Sequence, residues 1–285
     1  MEAPATGPLP SSESEGDLKT SGTTIKLIRD IIDIAVIDEP SNLEEIYLVP
    51  METHNGAEEF NEVLFDEWIA WVLETPQARL LFPGDLLECT TRSSIGDIFH
   101  QRMSPKEQRD DMVERLKPVR DRIYGISSGN HEWRVTKETD FDPAEDIARE
   151  LDVPFFRSAQ GIIKVRVGEK RNDKPVAYVI HFGHGGSNAG TNGGRLNAAE
   201  KMAEVVENSD VVIYGHTHGK AASEQQRFVF DVYNNQIREE KRYVVLAGSL
   251  LGYAGYVKRK SKRPLPVGCP RIRLDGRKKD VHVTI

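Results

Sequence analysis

The sequence predicts an α/β fold that gathers its chemistry at the carboxyl ends of strands. Two observations lead there. Apolar, β-branched runs recur along the chain, and most end in a short polar segment rich in Gly, His, Asp or Asn. Between them lie stretches whose apolar residues recur at helical spacing. Loops at the carboxyl ends of strands are where such folds collect ligands. A length of 285 residues suits one large domain or two small ones.

Each element has its own signal. Residues 1–22 hold Pro4, Pro8, Pro10 and a Ser/Glu cluster without apolar periodicity, so they read as a disordered tail before a domain spanning 23–285. Residues 23–36 are β-branched and loosely alternating, which suits a strand or hairpin. Residues 46–49 are the next strand run. Within 57–74, Phe60, Leu64, Trp68, Trp71 and Val72 fall at helical spacing, and both tryptophans are assigned to packing. Residues 104–117 open with Ser104-Pro105 and carry Glu107 three positions after Ser104, a helix-start signature. Residues 123–127 read as a strand and Pro143–Leu151 as a short helix. Residues 162–167 and 176–182 read as neighbouring strands joined by a polar turn at 168–174. Residues 195–207 read as a helix, and 227–285 as several strands between Gly and Pro turns. No internal repeat is visible.

Composition fits a soluble enzyme. Hydrophobic content of 38% supports a core, and no apolar run approaches the ~18 residues of a membrane span. The N-terminus lacks a basic segment followed by an apolar one, so no secretory leader is read. Cys89 and Cys269 lie far apart in sequence and form no Cys-x-x-Cys pair, which favours a reducing, cytoplasmic setting. Charge is uneven. The net charge is −7 overall, yet residues 241–285 carry +10, with the densest runs at 258–263 and 277–279. Such a block can track a nucleic-acid backbone, or balance an acidic body. Only Tyr253 and Tyr256 interleave it as aromatics.

The polar segments come in one order: Glu52-Thr53-His54, Gly84-Asp85-Leu86-Leu87-Glu88, Gly129-Asn130-His131-Glu132, His184-Gly185-Gly186 and Gly215-His216-Thr217-His218. Carboxylates, imidazoles and one amide form the donor set of a two-metal site. Two cations about 3.5–4 Å apart clamp a phosphate and activate a water. Mixed oxygen and nitrogen donors suit Mn, Fe, Zn or Ni, with manganese foremost. Gly84 lets the backbone turn so that Asp85 points into the site, and Gly215 is expected to do the same for His216 and His218. Those two histidines, two residues apart, would project to one side of an extended chain. Asn130 supplies an amide oxygen, and His131 is the natural proton donor.

This ordered set resembles the calcineurin-like metallophosphoesterases, whose pattern runs D-x-H, G-D-x-x-[DE], G-N-H-[DE], H-G, G-H-x-H. The resemblance covers residues 45–220, and the stretches 84–110 and 183–204 are similar to bacteriophage-encoded members. It implies a four-layer sandwich, two mixed sheets face to face with helices outside. It implies that Asp85 bridges two divalent metal ions, that His54 and His218 bind the first, and that Asn130, His184 and His216 bind the second. His131 becomes the catalytic acid. The implied activity is hydrolysis of a phosphate ester by a hydroxide formed at the metals. Protein phosphatases of this superfamily carry an Arg before the third segment and another within the second. Here those places hold Ser128 and Leu86-Leu87-Glu88-Cys89, which favours a nucleotide or nucleic-acid phosphodiester. A phosphomonoesterase, or a binding module with a degraded first metal site, is the alternative.

Three places need weighing. Glu52 stands where the family has Asp, and its extra methylene shifts the carboxylate by about a bond length. It either ligates from a displaced backbone or leaves the first metal weakly held; ligation is the expectation. His181 and His184 compete as the fourth ligand. His184 precedes a Gly, as in the family, and His181 reads as a buried residue hydrogen-bonded to a neighbour. The loop at 183–194, with six glycines, could present amides to a phosphate. Arg134 and Arg195 are candidate phosphate clamps, because a guanidinium pairs two oxygens at once. His100 reads as a surface residue, and His282 carries no signal.

Overall fold

The computed structural model describes residues 13–20, 22–94, 98–171, 174–253 and 263–285. In chain order it contains β1 (Glu13–Thr20), β2 (Thr23–Arg29), β3 (Ile34–Asp38), β4 (Glu45–Pro50), α1 (Glu62–Glu74), β5 (Ala78–Phe82), α2 (Pro105–Leu116), β6 (Ile123–Ser127), α3 (Glu132–Thr139), α4 (Pro143–Leu151), β7 (Phe155–Phe156), β8 (Gln160–Arg171), β9 (Lys174–Gly183), α5 (Asn192–Met202), β10 (Val211–Tyr214), β11 (Lys220–Asp231), β12 (Gln236–Ala247), β13 (Arg271–Asp275) and β14 (Val281–Thr284). One sheet has the order β1-β2-β3-β8-β9-β10-β12-β11, the other β14-β13-β4-β5-β6-β7. Both mix parallel and antiparallel pairs.

Three apolar clusters define the layers. The central one joins Ile25, Ile37, Val165 and Phe182 of the larger sheet to Leu48, Leu81, Tyr124 and Phe156 of the smaller. A second packs the outer face of the smaller sheet under α1, α2 and α4 through Phe65, Met112 and Ile147. A third sets Val212, Val244 and Leu246 against Ala199 and Ala203 at α5. The result is the helix–sheet–sheet–helix order. β5, β6 and β10 are buried at every residue, as strands covered on both faces must be.

Most elements fall where their signals put them. Ser104 and Glu107 close a full capping box on α2, and Trp68 and Trp71 pack against the second cluster. Other boundaries move. Residues 13–20, expected within the disordered tail, form β1, and residues 1–12 and 21 lie outside the described residues. This edge strand is held by its ladder to β2, with Leu18 against the central core, rather than by its own composition. β8 and β9 run through most of the expected turn at 168–174, whose residues 172–173 lie outside the described set. α1 starts at Glu62 because Asn61 caps it. α5 spans Asn192–Met202 instead of 195–207, because Thr191 caps it through the Gly194 amide.

A buried ion pair ties the two sheets. Arg79 on β5 donates Nε to Glu39 Oε1 at 2.7 Å and Nη2 to Oε2, just after β3. Tyr124 on β6 donates to Oε1 at 2.7 Å, and Thr23 to Oε2 at 3.2 Å. Every lone pair of the carboxylate is used, which buried charge requires. Replacing Arg79 by Met strands Glu39 without a counter-charge. The expected loss is about 3–5 kcal/mol of unfolding free energy, read from urea melts.

Candidate metal centre

Five strands end at one place. β4, β5 and β6 run parallel in the smaller sheet, and β9 and β10 run parallel in the larger. The loops leaving their carboxyl ends carry Glu52 and His54, Asp85, Asn130 and His131, His184, and His216 and His218. Each sheet thus supplies part of one donor cluster, buried at the shared rim.

The ligand atoms form three groups. Glu52, His54 and His218 make one, Asp85, His184 and His216 make another, and His54, Asp85 and His131 make a third that shares a residue with each. His54 Nε2 lies 3.0 Å from His218 Nε2. His184 Nε2 and His216 Nδ1 lie 3.3 Å apart, and both face the Asn130 Oδ1, at 3.0 and 2.6 Å. Asp85 Oδ2 sits between the groups, 3.3 Å from His184 Nε2 and 3.7 Å from His54 Nε2. Glu52 Oε2, His54 Nδ1, Asp85 Oδ2 and His184 Nδ1 are buried and make no hydrogen bond among the described residues. Imidazole lone pairs facing each other, with orphaned carboxylate oxygens beside them, fit divalent cations. These residues could hold metal ions.

The surrounding chain is shaped for this cluster. Glu52 Oε1 accepts from the His216 amide at 2.5 Å, so the longer side chain reaches the β10 loop. A Cβ on Gly215 would lie 2.2 Å from that oxygen, so the glycine makes room for glutamate. The expected turn at Gly215 is instead taken by the histidines themselves. His216 and His218 have φ of 62° and 52°. They are not extended, and they enter different donor groups rather than projecting to one side. Gly84, at φ of 126°, abuts Gly129; a Cβ on Gly84 would stand 2.8 Å from the Gly129 Cα.

Glu132 escaped the sequence reading, although it ends the third segment. It is fully buried and joins two ligand loops. Oε1 accepts from Leu87 N at 2.7 Å, and Oε2 from Gly129 N at 2.8 Å and Asp85 N at 3.2 Å. Burial and the nearby charge of Asp85 push its pKa up to about 6. Its pattern partner Glu88 also acquires a place. Glu88 Oε2 lies 3.4 Å from His54 Nδ1 and 3.2 Å from His131 Nδ1.

His131 borders the cluster. Its backbone N–H donates to Asp85 Oδ1 at 3.0 Å, and its Nδ1 meets the Glu88 carbonyl at 2.8 Å. Arg134 Nη2 stands 3.0 Å from His131 Nε2. Burial pulls the ring's pKa down, but Asp85 and Glu88 carry it up to about 9, against Arg134. Burial raises the Asp85 pKa, but the surrounding imidazoles hold the carboxyl well below its usual range. His184 and His216 shift in opposite senses. Burial depresses both, yet Asp85 lifts His184 well above the usual imidazole value, while His216 stays low beside His184. Of this pair, His184 is thereby the favoured proton carrier.

The remaining candidates separate. Arg134 joins the site. Arg195 is buried behind the loop after His218, where a Cβ on Gly219 would lie 2.9 Å from its Cδ. The glycine loop is anchored by Tyr214, whose hydroxyl accepts from Gly186 N at 3.0 Å and Ser187 N at 3.1 Å. His181 is buried, as expected, but neither ring nitrogen finds the expected hydrogen bond. It lies beside Arg242, and burial with that charge lowers its pKa to about 4. His100 is exposed beside Glu58. Of the basic runs, 258–262 lies outside the described residues. Arg277, Lys278 and Lys279 pair with Glu44, Asp280 and Asp210. Both cysteines are buried free thiols. No described helix is long and apolar enough to cross a membrane.

No protein-family model matches the chain, and no curated protein does.

Two outcomes test this description. Glu132→Ala removes the acceptor of three amides and should weaken metal affinity about 10- to 100-fold, read by Mn titration. His181 stays neutral when folded, whereas an unfolded chain takes up a proton below about pH 6.5. Stability present above that pH is lost as pH falls from 6.5 toward the folded value of about 4. His181→Leu should flatten that limb, seen in urea midpoints between pH 7 and 4.5.

Proposed function

We propose that the chain is a binuclear-metal phosphohydrolase acting on phosphodiesters of nucleotides or nucleic acid. The carrying observation is the pair of donor groups meeting at Asp85 Oδ2. Glu52, His54, Asp85 and His218 would hold one ion, and Asp85, Asn130, His184 and His216 the other, with manganese the first to try. When bound, such a pair supplies a nucleophilic water at neutral pH and neutralises phosphate charge.

The protein's own groups would do the rest. With Nδ1 engaged by the Glu88 carbonyl, His131 would deliver a proton to the leaving oxygen from Nε2 once a phosphate draws Arg134 off that atom. Arg134, beside that atom, can pair two phosphate oxygens. Glu52, His54, Asp85 and His184 are buried on loops held by packing, so little reorganisation would accompany charge development.

One feature favours a diester. Ser128 stands where the protein phosphatases carry Arg, and its hydroxyl is committed to Asp142 at 2.5 Å. The paired charges at 277–279 leave less free basic surface than composition suggests, so the reading rests on the site and not on the basic block.

The test is hydrolysis of bis(p-nitrophenyl) phosphate beside p-nitrophenyl phosphate by Mn-loaded protein. The diester should turn over faster, and Asp85→Asn should lower kcat by about 100-fold or more, together with bound metal. Full activity in Asp85→Asn would sink the assignment, and faster monoester cleavage would make the chain a phosphomonoesterase. Metal uptake should also release protons, because His184 is held protonated without a cation. Calorimetric Mn titrations in buffers of different ionisation enthalpy would show that release.

A further inference from the structure

Among the described residues, three arginines are buried: Arg79, Arg195 and Arg242. Arg79 meets the Glu39 carboxylate. Arg242 donates to the Ala203, Glu207 and Ser209 carbonyls. Arg195 is different. It is 7% exposed, its Nε has no partner, and its protein hydrogen bond is Nη1 to the neutral Asn192 Oδ1 at 3.1 Å. No carboxylate pairs with it among the described residues.

Its position makes the lack of an anion costly. Asn192 opens α5, so the guanidinium folds back onto the amino end of its own helix. The backbone amides there already carry positive partial charge, and a cation is repelled. Arg263 adds more; burial and that neighbour's charge depress the Arg195 pKa. No described residue comes within 4 Å of where a Cβ on Gly190 or Gly193 would stand. Gly219, packed on Arg195, directly follows His218. The positive cluster therefore flanks the metal loop.

We infer that Arg195 and the first turn of α5 form an anion subsite that receives a second phosphate of the substrate. Its role in turnover rests on the phosphohydrolase reading; its existence does not. The site selects a substrate in which another phosphate neighbours the scissile one. An oligonucleotide supplies that as an adjacent diester or as a terminal phosphate.

The first experiment is calorimetric titration of the full chain, stripped of metal by chelator, with inorganic phosphate. The metal-free centre still holds Arg134 and His131, so the difference between wild type and the Arg195 and Arg263 variants, not binding as such, reports the subsite. Wild-type protein should bind, and Arg195→Gln should bind about tenfold more weakly or worse, as loss of a charge-assisted pair predicts. Arg263→Gln, an exposed change that leaves packing intact, should weaken binding about threefold. No phosphate binding, or equal binding by wild type and both variants, overturns the subsite. The second experiment compares KM for the thymidine dinucleotides TpT and pTpT and for TpTpT on Mn-loaded enzyme. A lower KM for pTpT or for TpTpT, lost in Arg195→Gln, identifies a terminal phosphate or an adjacent diester respectively as the occupant. Equal KM for all three in wild type overturns the substrate class. Phosphate binding without hydrolysis of any of them would leave the subsite standing and remove the proposed function.

Discussion

The structure is organised around a repulsion it must hold in place. Asp85 Oδ2, two pairs of histidine nitrogens and the Asn130 oxygen converge on one another, and among the described residues no N–H or O–H is matched to Asp85 Oδ2. Lone pairs packed this way push apart unless a cation or proton lies among them. The strained loops, the Glu132 clamp and the rigid parallel strands behind them all resist that push. Loops of ordinary mobility would swing the donors out toward solvent.

Resistance also has to act between sheets. Glu52, His54, Asp85 and Asn130 leave the smaller sheet, while His184, His216 and His218 leave the larger. Sliding one sheet over the other would separate the halves of the site. The apolar layer between them is dense but non-directional. The Arg79–Glu39–Tyr124 network supplies direction, since its bonds join β5 and β6 to the end of β3. The Glu52 bond to the His216 amide repeats that tie at the rim.

Much of this was legible in the sequence, for reasons that differ by residue. Asp85, His184 and His131 were found because ordered segments after strand-forming runs leave few alternatives. His216 and His218 were found but wrongly posed, since two-residue spacing implies one side only while the chain is extended. Glu132 was invisible as a clamp, because its three donors belong to loops 45 residues apart or more as well as its own. β1 was missed because a polar edge strand takes its order from the neighbour it pairs with. The early start of α5 was hidden by Gly193 and Gly194, poor helix formers that the Thr191 cap offsets. The charge at 277–279 could not be discounted before its acidic partners were placed.

The backbone of the site sorts its own side chains. His54, Asp85, His216 and His218 all sit at positive φ, while Glu52 does not. Left-handed backbone tolerates Asp, Asn and His better than other side-chain-bearing residues. Those are also short, hard or borderline donors. At these four positions the steric filter and the coordination filter select the same small alphabet, and a longer acid fails the first before reaching the second. Position 52 lies outside the filter: its main chain carries a glutamate without a left-handed conformation, and the extra length is spent on reaching the His216 amide.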